Sequence, residues 1–162
     1  MVPTLKIGQR VLVDRVRYHF GDPEINDIVV FHPPVTAGSS YVGPQCTADK
    51  QQGQPCPDND DRQSDENFIK RIVAGPGDRL RIENGRPVVN GELAEEDFAR
   101  PCQGFGGCNF REEITIPPDH YFMMGDNRGS SKDSRFWGPV PRDWIIGQAF
   151  FTYWPPDRLG IL

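Results

Sequence analysis

Long apolar runs are missing from this sequence. No stretch of 18 consecutive apolar residues occurs, so nothing in it reads as a transmembrane helix. A basic excess is missing too: net charge is −5 and no Lys/Arg-rich face stands out, which excludes nucleic acid as an expected partner. Metal-ligand spacing is also absent. Cys46, Cys56, Cys102 and Cys108 form no C-x2-C pair, and none has a histidine nearby in sequence, so zinc is argued against. No metal and no cofactor is expected. Helical periodicity is scarce, with a single helical turn expected at Arg142–Trp144.

What remains is a strand-and-corner pattern. The 162 residues suit one domain with a smaller lobe, and 17 glycines with 16 prolines make turns dense. RVLVDRV (10–16) alternates, DIVVF (27–31) stops before Pro33-Pro34, and FIKRIV (68–73) ends at AGPGD. Two Asn-Gly pairs punctuate 79–93 and signal hairpins, Asn84-Gly85 most strongly. EITI (113–116), HYFMMGD (120–126) and WIIGQAFFTYW (144–154) complete the set. The expected fold is mostly β: folded-over antiparallel sheets, with residues 1–78 and 120–162 as the core and 79–119 as a smaller β-hairpin lobe. Residues 35–67 hold six acids against two cations and few aromatics, which reads as a polar surface insertion. Two local disulfides, Cys46–Cys56 and Cys102–Cys108, fit the cysteine spacing and an extracytoplasmic setting; free thiols are the alternative.

FIKRIV poses a chemical question. Strand alternation puts Phe68, Lys70 and Ile72 on one face and Ile69, Arg71 and Val73 on the other, so either face carries a cation. A lysine works as a general base only when neutral, and burial among apolar groups lowers its pKa from the usual ~10.4 toward the working pH. Phe68 and Ile72 are suitable company. Downstream, MMGDNRGSSKDSRFWG (123–138) packs Ser, Asp and Arg between apolar anchors, and Ser131 or Ser134 offers a hydroxyl to hold a neutral amine. Two plain alternatives stand at this point. Lys70 is an edge-strand lysine reaching water, and 123–138 is a polar hairpin tip.

Several stretches in fixed order tip the balance. MVPTL (1–5), NDIVVF (26–31), FIKRIVAGPGD (68–78) and MGDNRGSSKDSRFWG (124–138), followed by VP and IIGQA, closely resemble the sequence boxes of bacterial type I signal peptidases. These are membrane-anchored serine peptidases that remove signal peptides from exported proteins. The resemblance implies a Ser–Lys dyad in which Lys70 is the general base. Ser131 then orients the amine, and Asp133 and Arg135 form a supporting ion pair. Met123, Met124 and Phe31 match apolar neighbours of the lysine, while Arg71 points to polar partners on the other face. Met1, Leu5, Val30, Phe68 and Ile69 match the walls of shallow pockets for Ala-x-Ala substrates, which would add a strand along residues 67–70. The implied partners are signal peptides of preproteins and a lipid surface, with the domain on the extracytoplasmic side and a monomer expected.

The match also departs from the family. Its nucleophile is the serine directly before Met in Ser-Met-x-Pro-Thr, and Met1-Val2-Pro3-Thr4 begins one residue later, so a truncated chain, inactive alone, is expected, with a partner that supplies the strand and its serine, or an inactive relative, as the alternatives. Ser39, Ser40, Ser64 and Ser130 sit in no matching motif. Asn26 stands where the family usually has Gly. Two rivals remain: a self-cleaving repressor-type Ser–Lys peptidase, which would lack the GDNR box, and a non-catalytic extracytoplasmic β-module that binds extended peptides.

Overall fold

A computed structural model describes residues 1–38, 42–43, 45–46, 48–49, 51–103 and 107–162. Ser39 and Ser40 lie outside the described residues. The protein is mostly β, in two antiparallel sheets. The larger sheet contains β1 (Arg10–Asp14), β2 (Ile28–Phe31), β3 (Phe68–Ala74), β8 (His120–Met124), β9 (Val140–Pro141), β10 (Ile145–Trp154) and β11 (Gly160–Ile161). Its order is β1-β10-β2-β3-β8-β9, with β11 also on β10. The smaller sheet runs β6-β5-β4-β7, from β4 (Arg79–Glu83), β5 (Arg86–Val89), β6 (Glu92–Leu93) and β7 (Phe110–Thr115).

Both Asn-Gly pairs make the hairpins their chemistry demands. Asn84 and Gly85 join β4 to β5, Asn90 and Gly91 join β5 to β6, and all four have positive φ. Two-residue hairpins need that backbone because it matches the twist of the flanking strands.

Alternation in β3 divides the interior. Ile72 packs with Phe31, Met123 and Trp137 on one face, and Val73 with Leu80, Phe122 and Met124 on the other. Phe31, Ile72 and Met123 are wholly hidden, and burying each such side chain contributes about 1.5–3 kcal/mol. A third cluster of Leu5, Ile28 and Ala149, flanked by Met1, Val30 and Ile69, ties the N-terminal turn to the sheet.

Two expectations need correction. Residues 35–67 are not confined to the surface: Ala37 joins the first core and Cys56 is fully buried. The Cys46–Cys56 disulfide folds this segment back. Cys56 N–H then donates to the Arg135 carbonyl (3.1 Å), and the Asn59 amide to the Pro139 carbonyl. Polar composition concealed a few buried positions, among them Thr36, Ala37, Cys56 and Asn59, in a segment that is otherwise exposed or half-buried among its described residues. The second correction concerns helix. Besides the turn at Arg142–Trp144, residues Ser134–Trp137 form α1 inside the supposed hairpin tip. Asp133 caps it by accepting from Arg135 N–H, and Gly138, at φ 91°, ends it. A second disulfide closes Cys102–Cys108.

Candidate active site

Hydrogen-bond direction along β3 defines an open edge. Ile72 N–H donates to the Asp27 carbonyl and the Ile72 carbonyl accepts from Asn26 N–H, both at 2.9 Å, so Ile72 bonds on the β2 side. Alternation then turns the backbone groups of Ile69, Arg71 and Val73 the other way. β8 pairs there, but its register starts at Arg71↔Met124. The backbone edge at Ile69 therefore extends past the end of β8, with no strand beside it among the described residues.

Lys70 lies at this end of the strand, half-buried, with its amine 5.5 Å from the Phe68 ring centre. Burial pushes its pKa down, with the Arg135 charge adding to the effect, while Asp133 and Asp126 pull it back up. Burial is the largest cause. Both carboxylates are already committed to arginines, and Lys70 forms no ion pair among the described residues. The Met1 amino group is likewise pushed down, first by burial and then by repulsion from Lys70.

Gly125 marks the meeting point. A Cβ built there would stand 2.3 Å from Ser131 Oγ and 3.6 Å from Lys70 Cδ. Ser131 Oγ is buried and has no hydrogen-bond partner among the described residues, so it does not bond the Lys70 amine in this structure. Ser134, the other candidate hydroxyl, is occupied: it accepts Met123 N–H at 3.0 Å and fastens α1 to β8. Phe31 and Met123 share the core on the Lys70 side of β3, whereas Met124 falls in the opposite core, because alternation carries it to the Val73 face.

A polar layer fixes the loop beneath. Asp133 pairs with Arg135 (2.7 Å) and accepts Gly125 N–H (3.1 Å). Arg135 also donates to the carbonyls of Gly107, Arg128 and Ser131. On the other face of β3, Arg71 makes two parallel bonds to Asp126 (3.0 and 2.9 Å), and the Thr4 hydroxyl donates to the same carboxylate. Asp126 is fully buried, and a bidentate guanidinium is the partner that such a site requires. Arg71 donates further to the carbonyl of Asn26, whose φ of 76° is the left-handed backbone that asparagine tolerates better than most residues. The Asn-for-Gly departure is thereby accommodated. Sequence reasoning missed Thr4, Asp126 and the buried Arg128–Glu96 pair; nothing in local pattern joins residues so far apart.

Beside this centre lies a groove of about 390 Å³ whose lining includes Met1, Leu5, Val30, Phe68 and Ile69. All five residues expected to contact substrate thus border one cavity, together with Val11 and Asn67. Among the described residues no cluster of metal-ligating side chains is present, and no helix is long and apolar enough to cross a membrane.

Fold and site together define an antiparallel β protein with a desolvated lysine, a buried hydroxyl and an apolar groove at one open strand edge. Residues 1–154 match the family model described as signal peptidase, peptidase S26, and the chain belongs to that family. It is 37% identical to the signal peptidase I of Leptolyngbya laminosa over all of this chain and 68% of that protein. It is 36% identical to thylakoidal processing peptidase 1, chloroplastic, of Arabidopsis thaliana, over 99% of this chain and 41% of that one. A solved signal peptidase I from Enterococcus faecalis V583 aligns at a TM-score of 0.47 and 20% identity, covering 79% of this chain and 97% of that one.

Proposed function

We propose that this chain is the catalytic part of a membrane-associated serine endopeptidase that removes signal peptides after Ala-x-Ala, with Lys70 as general base. The observation that carries the reading is the convergence of a desolvated lysine, the Ser131 hydroxyl and the Met1 nitrogen. A serine joined to that nitrogen would enter the space beside Lys70. Lys70 would take the hydroxyl proton as the serine attacks the scissile carbonyl, then return it to the leaving amine. In deacylation it would activate a water. Ser131 would orient the amine once its free hydroxyl turns to it, and the Asp133–Arg135 pair holds the loop without placing a free carboxylate on the lysine.

The substrate would lie extended along the open edge at Ile69, adding a strand by main-chain hydrogen bonds. Small side chains before the scissile bond would enter the groove between Met1, Leu5, Val30, Phe68 and Ile69. Phe150, Tyr153 and Trp154 are exposed on β10, and we assign them to a lipid surface on the extracytoplasmic side, where aromatic side chains favour the interface. Trp154→Ala should weaken liposome co-sedimentation; unchanged binding removes that assignment.

The test compares the 162-residue chain with the same chain carrying one serine before Met1, both purified and given an Ala-x-Ala peptide. The first should bind without cleaving. The second should cleave, with a rate that climbs as pH rises and Lys70 loses its proton, and Lys70→Ala should abolish turnover. Robust cleavage by the unextended chain, or by the Lys70→Ala form, would refute the proposal. Peptide binding by both chains with no cleavage by either would favour a β-module that binds extended peptides.

A further inference from the structure

The connection between β6 and β7 contains EDFAR at residues 96–100, which composition alone would pass over as a solvated loop. Its side chains do something else. Glu96 is buried and accepts from both terminal guanidinium nitrogens of Arg128, at 2.5 and 2.6 Å. Arg128 in turn donates to the Gly125 carbonyl (3.0 Å) and the Gly85 carbonyl (2.7 Å). The Phe98 ring lies 3.9 Å from the Arg71 guanidinium, on the arginine that holds Asp126. Arg100 N–H donates to the Asp126 carbonyl at 2.8 Å.

Three consecutive contacts from one short segment therefore reach Arg128, Arg71 and Asp126. Each of those bonds, or belongs to, the turn whose centre is Gly125, the residue wedged against Ser131 and Lys70. A loop that only links two strands has no need of a buried carboxylate, because burying charge is unfavourable unless it is paired. Phe98 also covers one face of the Arg71 guanidinium, where the ring attracts the cation and keeps water from the Asp126 bonds.

We infer that residues 96–100 are a positioning strap of the catalytic centre, with Glu96 and Phe98 fixing the Gly125–Ser131 turn through Arg128 and Arg71. The inference rests on the lysine-base reading above. It makes the smaller sheet part of the active-site support, since the strap and Gly85 both lie in connections between its strands.

The test needs no turnover. The chain has four lysines, at 6, 50, 70 and 132, so isotope-labelled lysine side chains can be followed by NMR through a pH titration of the 162-residue protein. The wild-type Lys70 amine should titrate below the ordinary lysine range. Phe98→Ala should leave the dispersed amide spectrum intact and move the Lys70 titration upward, as the loosened turn admits water. Phe98→Tyr, which keeps the ring on Arg71, should restore the wild-type position. Should Phe98→Ala fail to fold, Phe98→Leu fills the same space without a π face and serves in its place. A folded variant whose Lys70 titrates as in wild type overturns the strap while sparing the lysine base. An ordinary titration in wild type overturns the lysine base itself, and the strap with it.

Discussion

Gly125→Ala tests the convergence at the site with one methyl group. The backbone of Gly125 lies outside the left-handed region, so alanine is conformationally acceptable and any effect must come from contact. The new Cβ would sit 2.3 Å from Ser131 Oγ and 2.8 Å from Ser131 Cβ. Rotating the serine about χ1 relieves the first clash but not the second, so the backbone at 131 must shift. That backbone is held, because Arg135 donates to the Ser131 carbonyl at 3.2 Å and is itself fixed by Asp133. Overpacking of this kind costs about 1–3 kcal/mol. For a chain of this size that corresponds to a melting point lower by about 2–12 °C. In the serine-extended chain the displaced hydroxyl should no longer orient Lys70, and misplacement on the ångström scale lowers rates by about 10²-fold. Thermal unfolding followed by circular dichroism, with peptide cleavage measured in parallel, reads both. Unchanged melting together with unchanged cleavage would mean that Gly125, Ser131 and Lys70 do not meet as described.

Lys70→Met probes the desolvated charge through stability. Burial lowers the folded-state pKa of Lys70, so between that value and ~10.4 in the unfolded chain the unfolded state holds the extra proton. Wild-type stability should therefore rise with pH across this window relative to Lys70→Met and level off above it, in denaturant midpoints collected over a pH series. A pH-independent difference refutes the desolvation. Asp126→Ala strands the Arg71 guanidinium and removes the acceptor of Thr4, which should reduce unfolding free energy by about 3–5 kcal/mol in urea titrations; a loss near zero would show that the pair is not closed to water.

Much of this was legible in the sequence because it depended on local rules. Asn84-Gly85 and Asn90-Gly91 specify their hairpins whatever surrounds them, and alternation in FIKRIV separates Lys70 from Arg71 before any partner is known. The misses share a different cause. Ser134–Trp137 has its cap and stop in plain view, as Asp133 and Gly138, but four residues are too few for a periodic signal. Cys56 meets α1 at Arg135, Asn59 bonds the Pro139 carbonyl and Ala37 joins the first core, and composition cannot register contacts made across the chain. Met124 was placed beside Lys70 by a motif match that ignored strand parity; its neighbour Met123 shares the Lys70 side.

Adjacent cations on β3 meet opposite environments for a chemical reason. A guanidinium keeps its proton at any working pH and offers donors in a fixed fork, so Arg71 can be taken out of water only against a carboxylate of matching geometry. Asp126 supplies it, and the hydroxyl of Thr4 and the ring of Phe98 complete the enclosure. An ammonium can lose its proton instead, so Lys70 needs no carboxylate and is better served by having none in contact. The arrangement around it meets that condition: Asp133 lies close enough to be felt, yet both its oxygens are bound by Arg135. The polar layer thus has two tasks that pull in opposite directions. It must hold the Gly125–Ser131 turn with charged hydrogen bonds, and it must limit how far those carboxylates raise the Lys70 pKa that burial lowers. Pairing Asp126 and Asp133 with arginines accomplishes both: Arg71–Asp126 and Arg135–Asp133 are buried ion pairs, whereas Lys70 forms none among the described residues.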